Sequence, residues 1–146
     1  MSLIVLNSTK DHQALILYAV HHAPSLIIDC ANCANPHTLF RKAPQEALLA
    51  VYVIEVDLLY LFRDVLQKAS DIAEKKKVHT VVITPWDGLF HYNNNQENNI
   101  ILQQCWELMN TLAKSIDVAI AQPSKNHYGT HRTKPTPSLR SFDERA

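Results

Sequence analysis

Two cysteines and a histidine lie close together in the first quarter of the chain. Two residues separate Cys30 from Cys33, and three more separate Cys33 from His37. Two thiols and an imidazole can supply three of the four ligands that zinc takes in proteins, and the Cys-x-x-Cys spacing is also typical of thiol–disulfide exchange. No second Cys/His pair lies at zinc-finger spacing. A tight structural turn after a strand is therefore favoured over a metal site or a redox pair.

Carboxylates recur where apolar runs end. Asp29, Glu55 and Asp87 each lie at or just beyond such a run, and parallel strands bring their carboxyl ends to one edge of a sheet. The histidines that could serve with them as general acid or base are His12, His37 and His91. The chain contains no nucleophile elbow and no metal-binding helix motif. Carboxylates that cap helices explain these positions more simply than catalysis.

The stretch Val78–Phe90 combines a buried strand with an apolar turn. Its β-branched run is followed by Pro85, which cannot donate a ladder hydrogen bond and should end the strand. Trp86 and Phe90 then form a candidate anchor for a protein partner, although packing in the core is the favoured interpretation for such large apolar side chains. The Asn-rich segment that follows has no Lys or Arg, and we interpret it as a solvent loop.

The C-terminal segment is basic. Gln122–Ala146 contains five Lys or Arg and two acidic residues, a net charge of +3, in a chain whose overall formal charge is zero. Basic side chains interleaved with an aromatic ring can follow a phosphate backbone and stack on a base. The candidate nucleic-acid-binding residues are Lys125, His127, Tyr128, His131, Arg132 and Lys134. The alternative is a solvated tail without a partner.

Composition limits the class of protein. A chain of 146 residues with 47% apolar content predicts one soluble domain. No apolar run reaches the roughly 18 residues of a membrane span, and the first residues do not resemble a signal peptide. Three cysteines, an odd number, fit a reducing compartment, so we expect a cytoplasmic protein. With only two glycines in the chain, a glycine-rich phosphate loop cannot be built.

Apolar runs and helical stripes alternate along the chain, which predicts right-handed crossovers and a mainly parallel sheet. We therefore expect a single doubly wound α/β sheet of about five strands with helices on both faces. A core over residues 1–122 and a basic, Pro-containing tail over residues 123–146 complete the predicted organisation. The predicted strands are Ser2–Asn7, Ser25–Asp29, Val51–Val56, Val78–Thr84 and Asp117–Gln122. We expect the first of them, Ser2–Asn7, to be buried. The predicted helices are Asp11–His22, Pro36–Arg41, Pro44–Leu49, one capped by Asp57 and ending at Lys75–Lys77, and Gln96–Ser115.

The order of motifs resembles the core of RecA/RadA recombinase-like ATPases. From Val78 to Pro123 the chain reads VVIT, then PWDGLF, a polar loop, a helix ending in LMNTLAKSI, and DVAIAQP. This is similar to the strand, DNA-contacting loop, helix and strand of the second half of that core. The segment from Asp29 to His37 is similar to the family's strand that ends in a DTENTFRPER-type turn. The resemblance covers about residues 2–135, in matching order.

The chain departs from the family at the positions that carry ATP chemistry. Where the family has G-x-x-x-x-G-K-[ST], this chain has Asn7-Ser8-Thr9-Lys10-Asp11, in which Lys10 is a relic of the phosphate lysine at most. The family's metal-orienting Asp falls on Thr84, a poor ligand for Mg²⁺, and Asp87 comes three residues late. Gln122 matches the family's terminal Gln, which senses the nucleotide state there. The resemblance thus implies a RecA-like fold without ATPase activity or a cofactor.

Such a protein is expected to be a non-catalytic accessory or regulatory factor in DNA recombination or repair. The resemblance implies a recombinase-family partner, single-stranded DNA, or both, and homo- or hetero-oligomers built through the family's subunit surface. One alternative is a small α/β enzyme, or a nucleotide- or metal-binding protein, that uses the carboxyl edge of the strands. A scaffold protein that only oligomerises is the third hypothesis.

Overall fold

A computed structural model describes residues 2–6, 12–34, 44–86, 89 and 95–121. The elements are β1 (Leu3–Leu6), α1 (His12–His21), β2 (Ser25–Asp29), α2 (Gln45–Leu49), β3 (Val51–Glu55), α3 (Leu59–Lys76), β4 (Thr80–Ile83), α4 (Asn95–Leu112) and β5 (Asp117–Ala121). The strands occur where the apolar runs predict them, with ends displaced by up to two residues. The predicted helix Pro36–Arg41 lies outside the described residues. None of the described helices is long and apolar enough to cross a membrane.

The described strands form one parallel sheet in the order β1-β5-β4-β2-β3. The α/β fold with a doubly wound parallel sheet is therefore confirmed. The three inner strands are almost fully buried, because helices cover both of their faces. The prediction that the first strand is buried is wrong, since β1 lies at the edge of the sheet and Val5 on it is 49% exposed.

Alternate residues of the inner strands face two separate apolar clusters. On one side, Leu26 and Ile28 of β2 join the larger cluster, to which α3 and α4 contribute. On the other side, Ile27 packs with Leu15 and Ala19 of α1. This period of two is the geometry of a strand between two helical layers. Packing on both faces thereby fixes where the inner strands lie and where their carboxyl ends place the residues that follow.

The ends of α3 show which local signals determine a helix boundary. Asp57 does not cap it, contrary to the prediction: the residue at the N-cap is Leu58, and it makes no side-chain capping hydrogen bond. At the other end Lys77 adopts a left-handed conformation, and its N–H bonds to the carbonyls of Ala73 and Glu74. Lys75 and Lys76 occupy the last turn as predicted, where cations oppose the negative end of the helix dipole.

Candidate functional site

The candidate site lies at the carboxyl ends of β2 and β4. These strands are neighbours, and their register pairs Ile28 with Ile83. The next residue of each chain segment, Asp29 and Thr84, therefore lies at the same point of the sheet edge. Both side chains are buried, with Asp29 1% exposed and Thr84 fully enclosed. In the sequence analysis Asp29 is one of the candidate catalytic carboxylates, and Thr84 stands where the resembled family has its metal-orienting Asp.

The carboxylate of Asp29 organises the turn that follows β2. Its Oδ1 accepts hydrogen bonds from the N–H of Ala31 at 3.3 Å and of Cys33 at 3.1 Å, and its Oδ2 accepts one from the N–H of Ala34 at 3.0 Å. Asn32, at the centre of this turn, has a left-handed backbone with φ of 54°, which asparagine tolerates better than most residues. The carboxylate therefore stabilises its own loop and faces the backbone of that loop.

The hydroxyl of Thr84 connects this turn to β4. It donates a hydrogen bond of 3.1 Å to Oδ1 of Asp29 and accepts hydrogen bonds from the N–H of Cys30 at 2.7 Å and of Ala31 at 3.2 Å. A hydroxyl has one donor and two acceptor positions, so the hydrogen-bonding capacity of Thr84 is fully used. The backbone pairing between β2 and β4 also extends to this residue, because the N–H of Thr84 donates a hydrogen bond of 3.1 Å to the carbonyl of Ile28.

The thiols near this turn are protonated at neutral pH. Burial, the nearby negative charge of Asp29 and the hydrogen bond that Cys33 donates to it together raise the pKa of the Cys33 thiol to about 11. Its Sγ lies 3.8 Å from Oδ1 of Asp29. Burial is also the main cause that raises the pKa of Cys30 and that of Cys105. Thiolates are the reactive and metal-binding form, so a redox or zinc role would first require these thiols to lose protons.

The predicted zinc set is only partly placed by the structure. Cys30 and Cys33 lie together at the turn, whereas His37 is outside the described residues. Within residues 2–6, 12–34, 44–86, 89 and 95–121, no three His, Cys, Asp or Glu side chains are grouped as a metal site requires.

The predicted cluster of carboxylates does not form among the described residues. The register places Glu55 of β3 beside Asp29, but Glu55 is exposed at the sheet edge while Asp29 is buried in its turn. Asp87, His37 and His91 lie outside the described residues, as does the side chain of His12.

Trp86 belongs to the core and is not presented to a partner. It is 1% exposed, and its ring centroid lies 6.0 Å from that of Phe62 and 5.4 Å from that of Trp106, the latter in a perpendicular arrangement. The hypothesis of Trp86 as an exposed anchor is therefore wrong, and the favoured core interpretation is confirmed. Phe90, the second candidate anchor, lies outside the described residues. Among the residues that the structure describes, the indole N–H of Trp86 has no hydrogen-bond acceptor.

Some of the predicted functional positions lie beyond the part of the chain that the structure describes. They are Lys10, Gln122 and the six tail residues Lys125, His127, Tyr128, His131, Arg132 and Lys134. These assignments remain predictions. The sequence interpretation, in turn, missed the bond between Thr84 and Asp29. A polar β-branched residue directly after a buried strand could have indicated such a bond. The partner of that residue, however, depends on which strands are neighbours, and the sequence pattern does not give the strand order.

Comparison with known proteins identifies the fold. No family model matches the chain, and no curated protein matches it by sequence. Among solved structures the chain is similar to the crystal structure of the RadB recombinase, with a TM-score of 0.58 and 15% sequence identity over 83% of this chain. The match spans 60% of the length of that RadB chain. At this identity the likeness establishes the fold alone, and the prediction of a RecA-like α/β fold is confirmed.

Proposed function

We propose that the chain is a non-catalytic RecA-like protein that acts in DNA recombination or repair by binding a recombinase partner, single-stranded DNA, or both. The observation that supports this most directly is the hydrogen bond between Thr84 and Asp29 at the carboxyl edge of the sheet. The side chains of Asp29 and Thr84 hydrogen-bond to each other and to the backbone of the turn that follows β2. The absence of phosphate-loop glycines in the sequence supports the same proposal.

ATP hydrolysis depends on groups that position the phosphates and the metal ion. At the end of β4, where the resemblance expects a carboxylate that orients the metal, a neutral hydroxyl makes three hydrogen bonds within the protein. Making it available to a metal ion would break those bonds and leave the N–H of Cys30 without an acceptor, which is costly in a buried position. Lys10 and Gln122 are then relics of a nucleotide site in this proposal.

The proposed DNA contact lies in the basic tail. Residues 122–146 carry a net charge of +3, so the rest of the chain carries −3. A polyanion such as DNA should therefore be attracted to the tail and repelled by the core. In this proposal Lys125, Arg132 and Lys134 contact phosphates, while Tyr128 stacks on a base and the two neighbouring histidines add hydrogen bonds.

Fluorescence anisotropy with labelled single-stranded DNA over a salt series tests this contact. The informative variant replaces Lys125, Arg132 and Lys134 with Gln in the full chain. The matched control replaces Lys75, Lys76 and Lys77 with Gln, which removes the same charge from the exposed end of α3. We expect the tail variant to bind at least about tenfold more weakly. The slope of its log binding constant against log salt concentration should be smaller by about 2 units, because fewer phosphate contacts release fewer counterions on binding.

Two outcomes would contradict a DNA-binding tail: no binding by the native chain, or equal losses in the tail variant and the control. In either case the protein-partner half of the proposal is tested with a purified RecA/RadA-family recombinase. A direct complex, or a changed rate of its DNA-dependent ATP hydrolysis, is the expected result. A chain that binds neither DNA nor the recombinase would refute the proposed function as a whole.

A further inference from the structure

Exposed apolar side chains lie on the outer side of α3 and α4, near the start of both helices. The helices pack side by side, and Nη1 of Arg63 donates a hydrogen bond of 2.8 Å to Oε1 of Gln104 across them. Tyr60 lies one turn before Arg63 and Ile100 one turn before Gln104, so these two side chains flank the same groove. Tyr60 is 37% exposed and Ile100 is 53% exposed. We call this surface the α3–α4 face; it is formed by Tyr60, Arg63, Asp64, Glu97, Ile100 and Gln104.

Charge is unevenly distributed along the two helices. Near the carboxyl edge of the sheet, residues 55–67 and 95–104 hold four carboxylates and one arginine. Towards the other edge, residues 68–79 and 105–117 hold five lysines and four carboxylates. Each helix N-terminus adds about half a positive charge, so the first region stays negative by about two charges. Asp64 lies 3.8 Å from the arginine of that region, yet its side chain is 46% exposed. The α3–α4 face therefore fits a segment that is cationic and partly apolar.

Among the segments outside the described residues, the C-terminal one has this character. Residues 7–11 hold one lysine and one aspartate, and residues 90–94 hold no Lys or Arg. Residues 35–43 hold two basic residues, but the residues that flank them, Ala34 and those of α2, pack with α1 on the other side of the sheet. Residues 122–146 carry a net charge of +3 and include aromatic side chains.

The C-terminal segment also begins close to this face. β5 ends at Ala121, at the carboxyl edge, and its Val118 and Ile120 share an apolar cluster with α4. A helix is about 10 Å across. An extended chain spans up to about 13 Å over the four residues from Ala121 to Lys125 and up to about 36 Å over the eleven to Arg132. The outer side of α4 is therefore within reach of residues 125–134.

We propose that residues 125–134 dock on the α3–α4 face of the same molecule, and that single-stranded DNA competes with this face for them. Tyr128 covers Ile100, and the basic side chains lie beside Asp64 and Glu97. The inference rests on the proposed function, because the docked residues are those proposed to contact DNA. A docked tail lowers the apparent affinity for DNA in proportion to the fraction of molecules whose tail is undocked. Weakening the α3–α4 face should therefore tighten DNA binding.

Limited trypsin digestion of the full chain, followed by mass spectrometry, tests the docking without DNA. The face variant combines Asp64→Asn with Glu97→Gln. The matched control combines Asp71→Asn with Glu74→Gln, which removes the same charge from the other half of α3. Cleavage in the tail follows the population of the undocked form, so we expect it to be at least about threefold faster in the face variant than in the native chain or the control.

Equal rates of tail cleavage in the native chain and the face variant would overturn the proposal. Protection that grows with protein concentration would also overturn it, because the tail would then dock on a second copy.

Fluorescence anisotropy with labelled single-stranded DNA tests the competition. We expect the face variant to bind at least about threefold more tightly than the control. Equal affinities would overturn the competition, since loss of negative charge alone would then explain any gain over the native chain. A native chain that binds no DNA would refute the DNA-binding function and the competition together, whereas the trypsin result would still decide whether the tail docks.

Discussion

The hydroxyl of Thr84 donates a hydrogen bond of 3.1 Å to the carboxylate of Asp29, although 55 positions separate the two residues in the chain. The bond joins the ends of two neighbouring strands at the edge where α/β proteins bind ligands. The chain has a RecA-like fold. We propose that Thr84, which stands where ATPases of this fold carry a metal-orienting Asp, has a structural role through this bond and no catalytic one.

Removing the hydroxyl of Thr84 should destabilise the protein strongly. Thr84→Ala deprives Asp29 of a donor and the N–H of Cys30 of its acceptor, and we expect a loss of about 2–4 kcal/mol in the free energy of unfolding. Thr84→Ser keeps the hydroxyl and loses one buried methyl group, so it should cost about 1 kcal/mol. Urea denaturation measures both. Equal losses in the two variants would show that the hydroxyl is unimportant.

Asp29→Asn tests whether the carboxylate stabilises its turn. An amide nitrogen cannot accept hydrogen bonds, so at least one backbone N–H of the turn loses its acceptor, and we expect a cost of about 2–3 kcal/mol. Glu55→Gln is the control, because this exposed neighbour in the register should change stability by less than about 0.5 kcal/mol.

Combining Asp29→Asn with Thr84→Ala should cost less than the sum of the single changes, since both remove the same hydrogen bond. Strict additivity in this double-mutant cycle would contradict a direct interaction between the two side chains.

The thiol of Cys33 should make stability fall at alkaline pH. Its pKa is about 11 in the folded chain and about 8.5 in an unfolded one. The unfolded state therefore loses its proton first, and the contribution of this thiol is complete below about pH 8.5 and lost as the pH rises to about 11. The difference between the native chain and Cys33→Ser in unfolding experiments across this range isolates the effect. A difference that does not change with pH would refute it.

The three cysteine thiols should react slowly with alkylating agents at neutral pH. Cys33 is partly exposed, whereas Cys30 and Cys105 are buried, so Cys33 should react first and the other two only on unfolding. Stoichiometric zinc in the purified protein, measured by elemental analysis, would contradict the structural role and favour the alternative of a metal-binding protein at this edge.

Trp86 should contribute to stability and not directly to binding. Trp86→Ala removes a fully packed ring, and we expect a cost of about 3–5 kcal/mol. Trp86→Phe keeps a ring beside Phe62 and removes an indole N–H that has no acceptor among the described residues, so it should cost less than half as much. Thermal or urea unfolding measures the difference. A Trp86→Ala variant as stable as the native chain would indicate an exposed side chain.

Much of the fold is predictable because strands and helices alternate with clear apolar patterns. The five runs that form strands are each short and apolar, and their alternation with helices requires parallel pairing. The position of β1 at the edge is not predictable in this way, since LIVL has the same character as the buried strands. An edge location is a property of strand order, and strand order depends on contacts between distant parts of the chain.

The site was identified residue by residue but not as a unit. Asp29 stands out as a carboxylate after a strand, and Thr84 as a replacement for a metal-orienting residue. Their hydrogen bond forms because β2 and β4 are neighbours in the sheet. The pattern of apolar residues along the chain does not predict which strands are neighbours. Trp86 shows the same difficulty, because an aromatic residue at the end of a strand has the same appearance in sequence whether it packs inward or outward.

ATP turnover by the purified full chain, with Mg²⁺ and with or without single-stranded DNA, tests the central claim most directly. We predict no phosphate release above a blank without protein, and no change in Thr84→Ser, which keeps the hydrogen bond and the fold. Turnover above the blank that copurifies with the native chain, requires Mg²⁺ and is lost in Asp29→Asn would contradict the account. The carboxyl edge of β2 and β4 would then be a working catalytic site.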